Sequence, residues 1–124
     1  MIKGFKFSNI FIDSANPEAL CEFYHKISGW EILNKYGSPA LETPNGLTLF
    51  FIKPDVPFIR PEWPDQPEKQ QKQIHLDFEV GDLDEAIGMA ISAGATLADQ
   101  QYGGSQWKTL LDPDGHPFDL YEED

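Results

Sequence analysis

Five of the ten prolines fall between Pro54 and Pro67, in the stretch PDVPFIRPEWPDQP, and the polar run EKQQKQ follows. Proline fixes φ and has no backbone donor, so a stretch this rich in it supports neither a helix nor a central strand. It reads as a connecting loop over 54–73 that leaves flanks of similar length, 1–53 and 74–124. Equal flanks pose the question of an internal repeat.

The flanks repeat one order of signals. In the first, a strand-like run Phe7 to Asp13 leads to Asn16-Pro17-Glu18, which combines a helix cap, a first-turn proline and an acidic residue for the helix dipole. Apolar residues then recur at Ala19, Leu20, Phe23, Tyr24 and Ile27, which is helical spacing. Gly29 stops that helix and Trp30 to Leu33 opens a strand. Thr43-Pro44-Asn45-Gly46 signals a turn before the run Leu47 to Ile52. In the second flank His75 to Val80 alternates as a half-buried strand. Asp82 caps a stripe of Leu83, Ala86, Ile87, Ala90 and Ile91, and Gly94 ends it. The runs Ala95 to Leu97 and Trp107 to Leu111 follow, then the turn Asp112-Pro113-Asp114-Gly115 and a closing strand Pro117 to Tyr121. Each half reads β-α-β-β-β. One helix cannot cover such a sheet alone, so pairing of the two modules within a single α+β domain over 1–124 is the physical expectation.

Composition excludes several functions. Nine Lys and Arg stand against 21 Asp and Glu, a formal net charge of −12. That field repels nucleic acid and anionic membrane surfaces. The longest apolar run, Leu49 to Ile52, is far too short to span a bilayer. The residues Met1 to Lys6 lack the features of a signal peptide. A lone cysteine, Cys21, falls on the apolar stripe of the first helix and reads as a small buried hydrophobe. A reducing, cytoplasmic location is the expectation.

Alternation assigns the faces of the closing strands. Leu76, Phe78, Val80, Phe118 and Leu120 turn toward the helix. His75, Asp77, Glu79, Asp119 and Tyr121 turn the other way, onto a face that is either solvated or the wall of a cup. In the first half Phe50 and Ile52 answer Asp119 and Tyr121. A pocket with one polar and one apolar wall suits a small organic ligand.

The pattern NPEALCEFYHKISGWEI, followed by HLDFEVGDLDEAI, AISAGAT and LLDPDGHPFDLYE, resembles the vicinal oxygen chelate superfamily, which includes glyoxalase I, bleomycin-resistance proteins and extradiol dioxygenases. In character it is nearest to the small glyoxalase-like domain proteins. The resemblance covers nearly the whole chain outside the proline-rich stretch. It implies paired βαβββ modules in a cupped mixed sheet with helices outside, assembled as a homodimer.

In metal-dependent members each module gives one ligand from its first strand and a carboxylate from its last. Carried onto this chain, those positions are His75 and Asp119 in the second module. In the first they are Asn9 (or Ser8, if a gap is allowed) and Phe50. Phenylalanine offers no donor, so the four-ligand set is incomplete and a divalent metal is not favoured. Asp77 and Glu79 share the face of His75 and would complete a noncanonical site. The resemblance also implies a metal-free use of the same cleft. There Phe50, Ile52, Tyr121 and one or more of Trp30, Trp63 and Trp107 would supply stacking faces. Asp77, Glu79 and Asp119 would favour a cationic or hydroxyl-rich ligand, and Arg60 would clamp an anionic group if its loop closed over the cup.

Three functions remain open. The first is a small-molecule binding protein using the cleft without a complete metal site. The second is a lyase, isomerase or dioxygenase with His75 and Asp119 on a metal and Glu79 as base. The third is a non-catalytic dimerising module. Metal analysis with a His75→Ala control separates the first two.

Overall fold

Both helices form where cap and stripe coincide. The computed structural model describes residues 1–123. Helix α1 (Pro17–Ser28) starts with the Asn16 side chain accepting the Ala19 N–H at 3.2 Å. It ends at Gly29, whose left-handed φ of 72° lets its N–H reach the His25 carbonyl. Helix α2 (Leu83–Ala93) starts with Asp82 accepting the Glu85 N–H at 3.0 Å. A carboxylate oxygen of Glu122 takes the N–H of Leu83, so two of the N–H groups left over at that helix start are satisfied.

Among the described residues the chain holds these two helices and eight strands, an α+β fold. It divides into two compact units, Met1–Phe58 and the residues from Ile59 onward. The first unit contains β1 (Asn9–Asp13), α1, β2 (Glu31–Lys35), β3 (Ser38–Glu42) and β4 (Thr48–Ile52). Its strands order β1-β4-β3-β2, with β1 parallel to β4 and the rest antiparallel. The second contains β5 (Leu76–Val80), α2, β6 (Thr96–Leu97), β7 (Trp107–Leu111) and β8 (Pro117–Glu122), ordered β5-β8-β7-β6 with β5 parallel to β8. The βαβββ order read from the sequence is therefore present twice, as two open mixed sheets of the same connectivity.

Alternation sorts core from surface in each unit. In the first, Leu20, Cys21, Phe23 and Tyr24 of α1 are buried, and Tyr24 stacks on Phe51 of β4 at 5.9 Å. Burying a side chain as large as Phe51 contributes about 1.5–3 kcal/mol. In the second, Phe78 meets Phe118 edge-on at 6.0 Å, and Leu110, Phe118 and Leu120 are buried.

The two turns leading into the last strands repeat in atomic detail. Thr43 Oγ1 accepts the N–H groups of Asn45 and Leu47, while the Thr43 N–H donates to the Leu47 carbonyl. Asp112 Oδ1 accepts from Asp114 and His116, while the Asp112 N–H donates to the His116 carbonyl. Gly46 and Gly115, at φ of 82° and 89°, supply the positive φ that closes each turn.

Two expectations need correction. The strand expected from Phe7 begins only at Asn9, and Phe7 is exposed. His75 precedes β5 rather than opening it. His25 and His116 serve as local staples. His25 Nδ1 lies 2.6 Å from the Trp30 carbonyl, and His116 Nδ1 lies 2.8 Å from the buried Asp112 carboxylate.

Candidate functional site

In the second unit three strands bring their polar residues into rows. Register places Asp77 of β5 opposite Asp119 of β8, and Asp119 opposite Thr109 of β7. One row on, Glu79, Tyr121 and Trp107 align in the same way. The intervening row is Phe78, Leu120 and Lys108, on the opposite face. His75 stands two positions before Asp77 and so falls on its face.

The Asp77–Asp119–Thr109 row and His75 form a tight polar cluster. His75 Nε2 lies 3.1 Å from Asp77 Oδ1 and 3.4 Å from Asp119 Oδ2. The Thr109 hydroxyl donates to Asp119 Oδ1 at 2.6 Å, a short charge-assisted bond. Asp77 and His75 are about half exposed, whereas the Asp119 side chain is only 15% exposed. That burial is the main reason the Asp119 carboxyl is held above its ordinary value. Thr109 pulls it back down, Asp77 adds repulsion and His75 offsets part of it.

Four aromatic side chains wall the same cavity, whose volume is about 810 Å³: Trp63, Tyr102, Trp107 and Tyr121. Trp107 and Tyr121 come from the second polar row. Trp63 comes from the proline-rich stretch, where its indole N–H donates to the Gln100 carbonyl at 2.9 Å and its ring meets Tyr102 edge-on at 5.8 Å. Gly103 lets the loop before β7 lie against the Trp107 indole, since a Cβ there would fall 2.4 Å from a ring carbon. A smaller recess shares Trp63, His75, Tyr102 and Asp119 and adds Asp65 and Lys72.

Of the residues singled out in the sequence, Trp63, His75, Asp77, Asp119, Trp107 and Tyr121 therefore line one cavity. Glu79 shares their sheet face but pairs with Glu123, and the hydrogen bond between the two carboxyls holds the Glu79 pKa above its ordinary value. Arg60 is bound to the Pro113 carbonyl at 2.9 Å, and its side chain packs on Gly115, so its contacts are with the DPDG turn. Asn9, Phe50 and Ile52 belong to the first unit. Asn9 opens β1 opposite Thr48 and is exposed. Phe50 is 1% exposed beneath Phe11, whose ring stacks on it at 4.5 Å, with Tyr36 at 6.0 Å. Ile52 is half-buried beside Phe51 and Lys53 at a shallow recess.

Thr109 and Tyr102 escaped the sequence reading. Thr109 was within reach of it, because extending the hairpin outward from the DPDG turn sets Thr109 across from Asp119. Tyr102 lies in a loop with no periodicity to place it.

Among the described residues His75, Asp77 and Asp119 offer one imidazole nitrogen and two carboxylate oxygens within 4.8 Å of one another. This donor set fits a divalent ion with three protein ligands. Phe50 belongs to the first unit and carries no donor atom.

The glyoxalase-like domain family model matches residues 9–121 of the chain. No curated protein matches it. Similar solved structures include a glyoxalase/bleomycin resistance protein/dioxygenase family enzyme from Burkholderia phytofirmans PsJN. That protein is 20% identical, with a TM-score of 0.68, over 93% of this chain and 96% of its own. Another is a glyoxalase/bleomycin resistance protein from Albidiferax ferrireducens T118, at 18% identity and a TM-score of 0.67 over 95% and 98% of the two chains. A third is TnmS3, an antibiotic binding protein from Streptomyces sp. CB03234, at 14% identity and a TM-score of 0.66 over the full length of both. At these identities the likeness is one of fold.

Proposed function

The chain belongs to the glyoxalase-like domain family, within the vicinal oxygen chelate superfamily, and on that premise we propose that it binds a small organic molecule in the cavity of its second unit. The observation that carries this reading is the convergence of Trp63, Tyr102, Trp107 and Tyr121 around His75, Asp77 and Asp119. Apolar walls with a few convergent polar groups are the usual composition of a small-molecule site. The rings supply stacking area and the polar cluster fixes orientation. A fold shared with an antibiotic binding protein is consistent with a role in binding or sequestering.

Titration with a panel of small organic molecules, uncharged planar aromatics (a naphthoquinone, a coumarin) and compact organic amines, followed by tryptophan fluorescence and calorimetry, tests the reading. Saturable binding that weakens about tenfold or more in Trp107→Leu is the expected result. Failure of every member of the panel to saturate, or binding that is unchanged in the variant, would overturn it.

The three-donor cluster supports a second reading, metal-dependent catalysis. His75, Asp77 and Asp119 would hold the ion, which would supply Lewis-acid activation of a bound oxygen. Stoichiometric uptake of added Zn, Ni, Fe or Mn by untagged protein, lost in His75→Ala, favours this reading over the first. We also propose a homodimer in the cytoplasm. No helix among the described residues is long and apolar enough to cross a membrane.

A further inference from the structure

The lining of the second unit's cavity is one-sided in charge. Asp77, Asp119 and Glu122 contribute carboxylates to its larger part, and neither lysine nor arginine lines it. Its one basic group, His75, already lies against Asp77 and Asp119. Glu122 is partly committed to the start of α2 through the Leu83 N–H, which leaves Asp77 and Asp119 as the carboxylates at the centre.

The aromatic wall has a shape that favours a cation. The planes of Trp63 and Tyr102 meet at 77°, so the two rings form a corner rather than a parallel slot. A parallel slot selects flat ligands, whereas a corner turns π surface toward a compact group and suits a rounded cation. The protein itself sets an ammonium against the Trp63 ring. Lys72 Nζ sits 5.3 Å from the centroid of the Trp63 ring, held by both carboxylate oxygens of Asp65 at 3.1 Å. One face of Trp63 is thus already engaged as half of a ring-plus-carboxylate ammonium site. Trp107 and Tyr121, in register with one another and one row from Asp119, repeat the same pairing of ring and carboxylate in the cavity.

Building on the small-molecule reading above, we propose that the ligand is an organic ammonium, a tertiary or quaternary amine whose charged head lies among Trp63, Tyr102, Trp107 and Tyr121 and faces Asp77 and Asp119. A hydroxyl-rich neutral ligand would be served by the same carboxylates, but it would gain nothing from the charge imbalance or the ring corner. An anion would be repelled.

Three probes of one shape separate these classes: choline, its uncharged carbon isostere 3,3-dimethylbutan-1-ol, and the anion 3,3-dimethylbutanoate. Each is titrated into the whole protein at low ionic strength with EDTA present, so that no metal mediates binding. Choline is expected to bind about tenfold or more tighter than the alcohol, a difference of about 1.4 kcal/mol, and the carboxylate is expected not to bind. Asp77→Asn, at a half-exposed position that does not endanger the fold, should weaken choline about threefold or more. Lys72→Met should strengthen it, because it removes a like charge from the rim. Equal binding of choline and the alcohol overturns the ammonium assignment and leaves the small-molecule reading standing. So does tighter binding of the carboxylate, or a loss of choline affinity in Lys72→Met. If all three probes fail while the uncharged aromatics bind, the assignment alone falls. If the aromatics fail as well, both readings fall together.

Discussion

Asp119 shows how a single residue is placed at odds with its surroundings. Burial and the neighbouring Asp77 hold its carboxyl above the ordinary value, against the pull of the Thr109 hydroxyl and His75. The folded state therefore keeps the proton over a pH window in which the unfolded chain has released it. Stability falls as pH rises through that window and stays lower above it. Asp119→Asn removes the charge but keeps an oxygen to accept from Thr109. Its Tm should exceed that of the wild type at neutral pH, with the gain vanishing once acid protonates the wild-type carboxyl in both states. Equal melting temperatures at neutral pH would show that the carboxylate is not strained there. Such a gain at the expense of binding is the usual trade at a functional site. Cys21 illustrates the opposite case, a reactive group with no site. Burial pushes its thiol up to about 11, and its Sγ rests 3.8 Å from the Ala40 carbonyl. The thiolate is the reactive form, so native protein at mildly alkaline pH should not react with a disulfide reagent until denaturant opens α1. Rapid labelling of folded protein would contradict this placement.

At the scale of elements, the two homologous turns differ in what they stand to lose. Thr43 and Asp112 make the same backbone bonds, but Asp112 is fully buried and also receives His116. Removing it strands several donors, so Asp112→Ala should cost about 2–4 kcal/mol in denaturant melts. Thr43→Ala should cost about 1 kcal/mol, comparable to the loss of a helix cap. Similar losses would mean that the His116 contact adds nothing. The β7 edge of the cavity depends on a different detail. Gly103→Ala places a methyl against the Trp107 ring and backbone, so it should shift tryptophan emission and weaken ligand binding through displacement of that wall. An unchanged spectrum would indicate that the loop yields instead of the ring.

For the whole molecule, the net charge of −12 has two distinct parts. Much of it lies on the surface, while Asp77 and Asp119 face a cavity. The first unit, in contrast, exposes Ile2, Phe5, Phe7 and Phe11 close together along the chain. Exposed apolar side chains in such a run support the proposed homodimer. Sedimentation should therefore show a dimer at micromolar concentration that weakens in Phe7→Lys, and a monomer throughout would count against the assembly. The repeated βαβββ order, both helix caps, both turns and the alternating faces of Leu76 to Val80 and Phe118 to Tyr121 were legible in the sequence. Each depends on neighbours within a few positions, where backbone sterics and a fixed period act directly. Membership of the right face identified His75, Asp77, Asp119 and Tyr121 as a group, but a face is not a site. Glu79 has the same alternation as Asp77 but lies two residues further along β5, where it ends against Glu123. Trp63, Arg60 and Tyr102 sit in segments without periodicity, and only long-range contacts settle them: Trp63 on Gln100, Arg60 on Pro113, Tyr102 on Trp63. The sequence by itself determined the elements and their faces, since those follow from local geometry. The tertiary structure decided which polar residues meet and which rings enclose them, since those contacts join residues tens of positions apart.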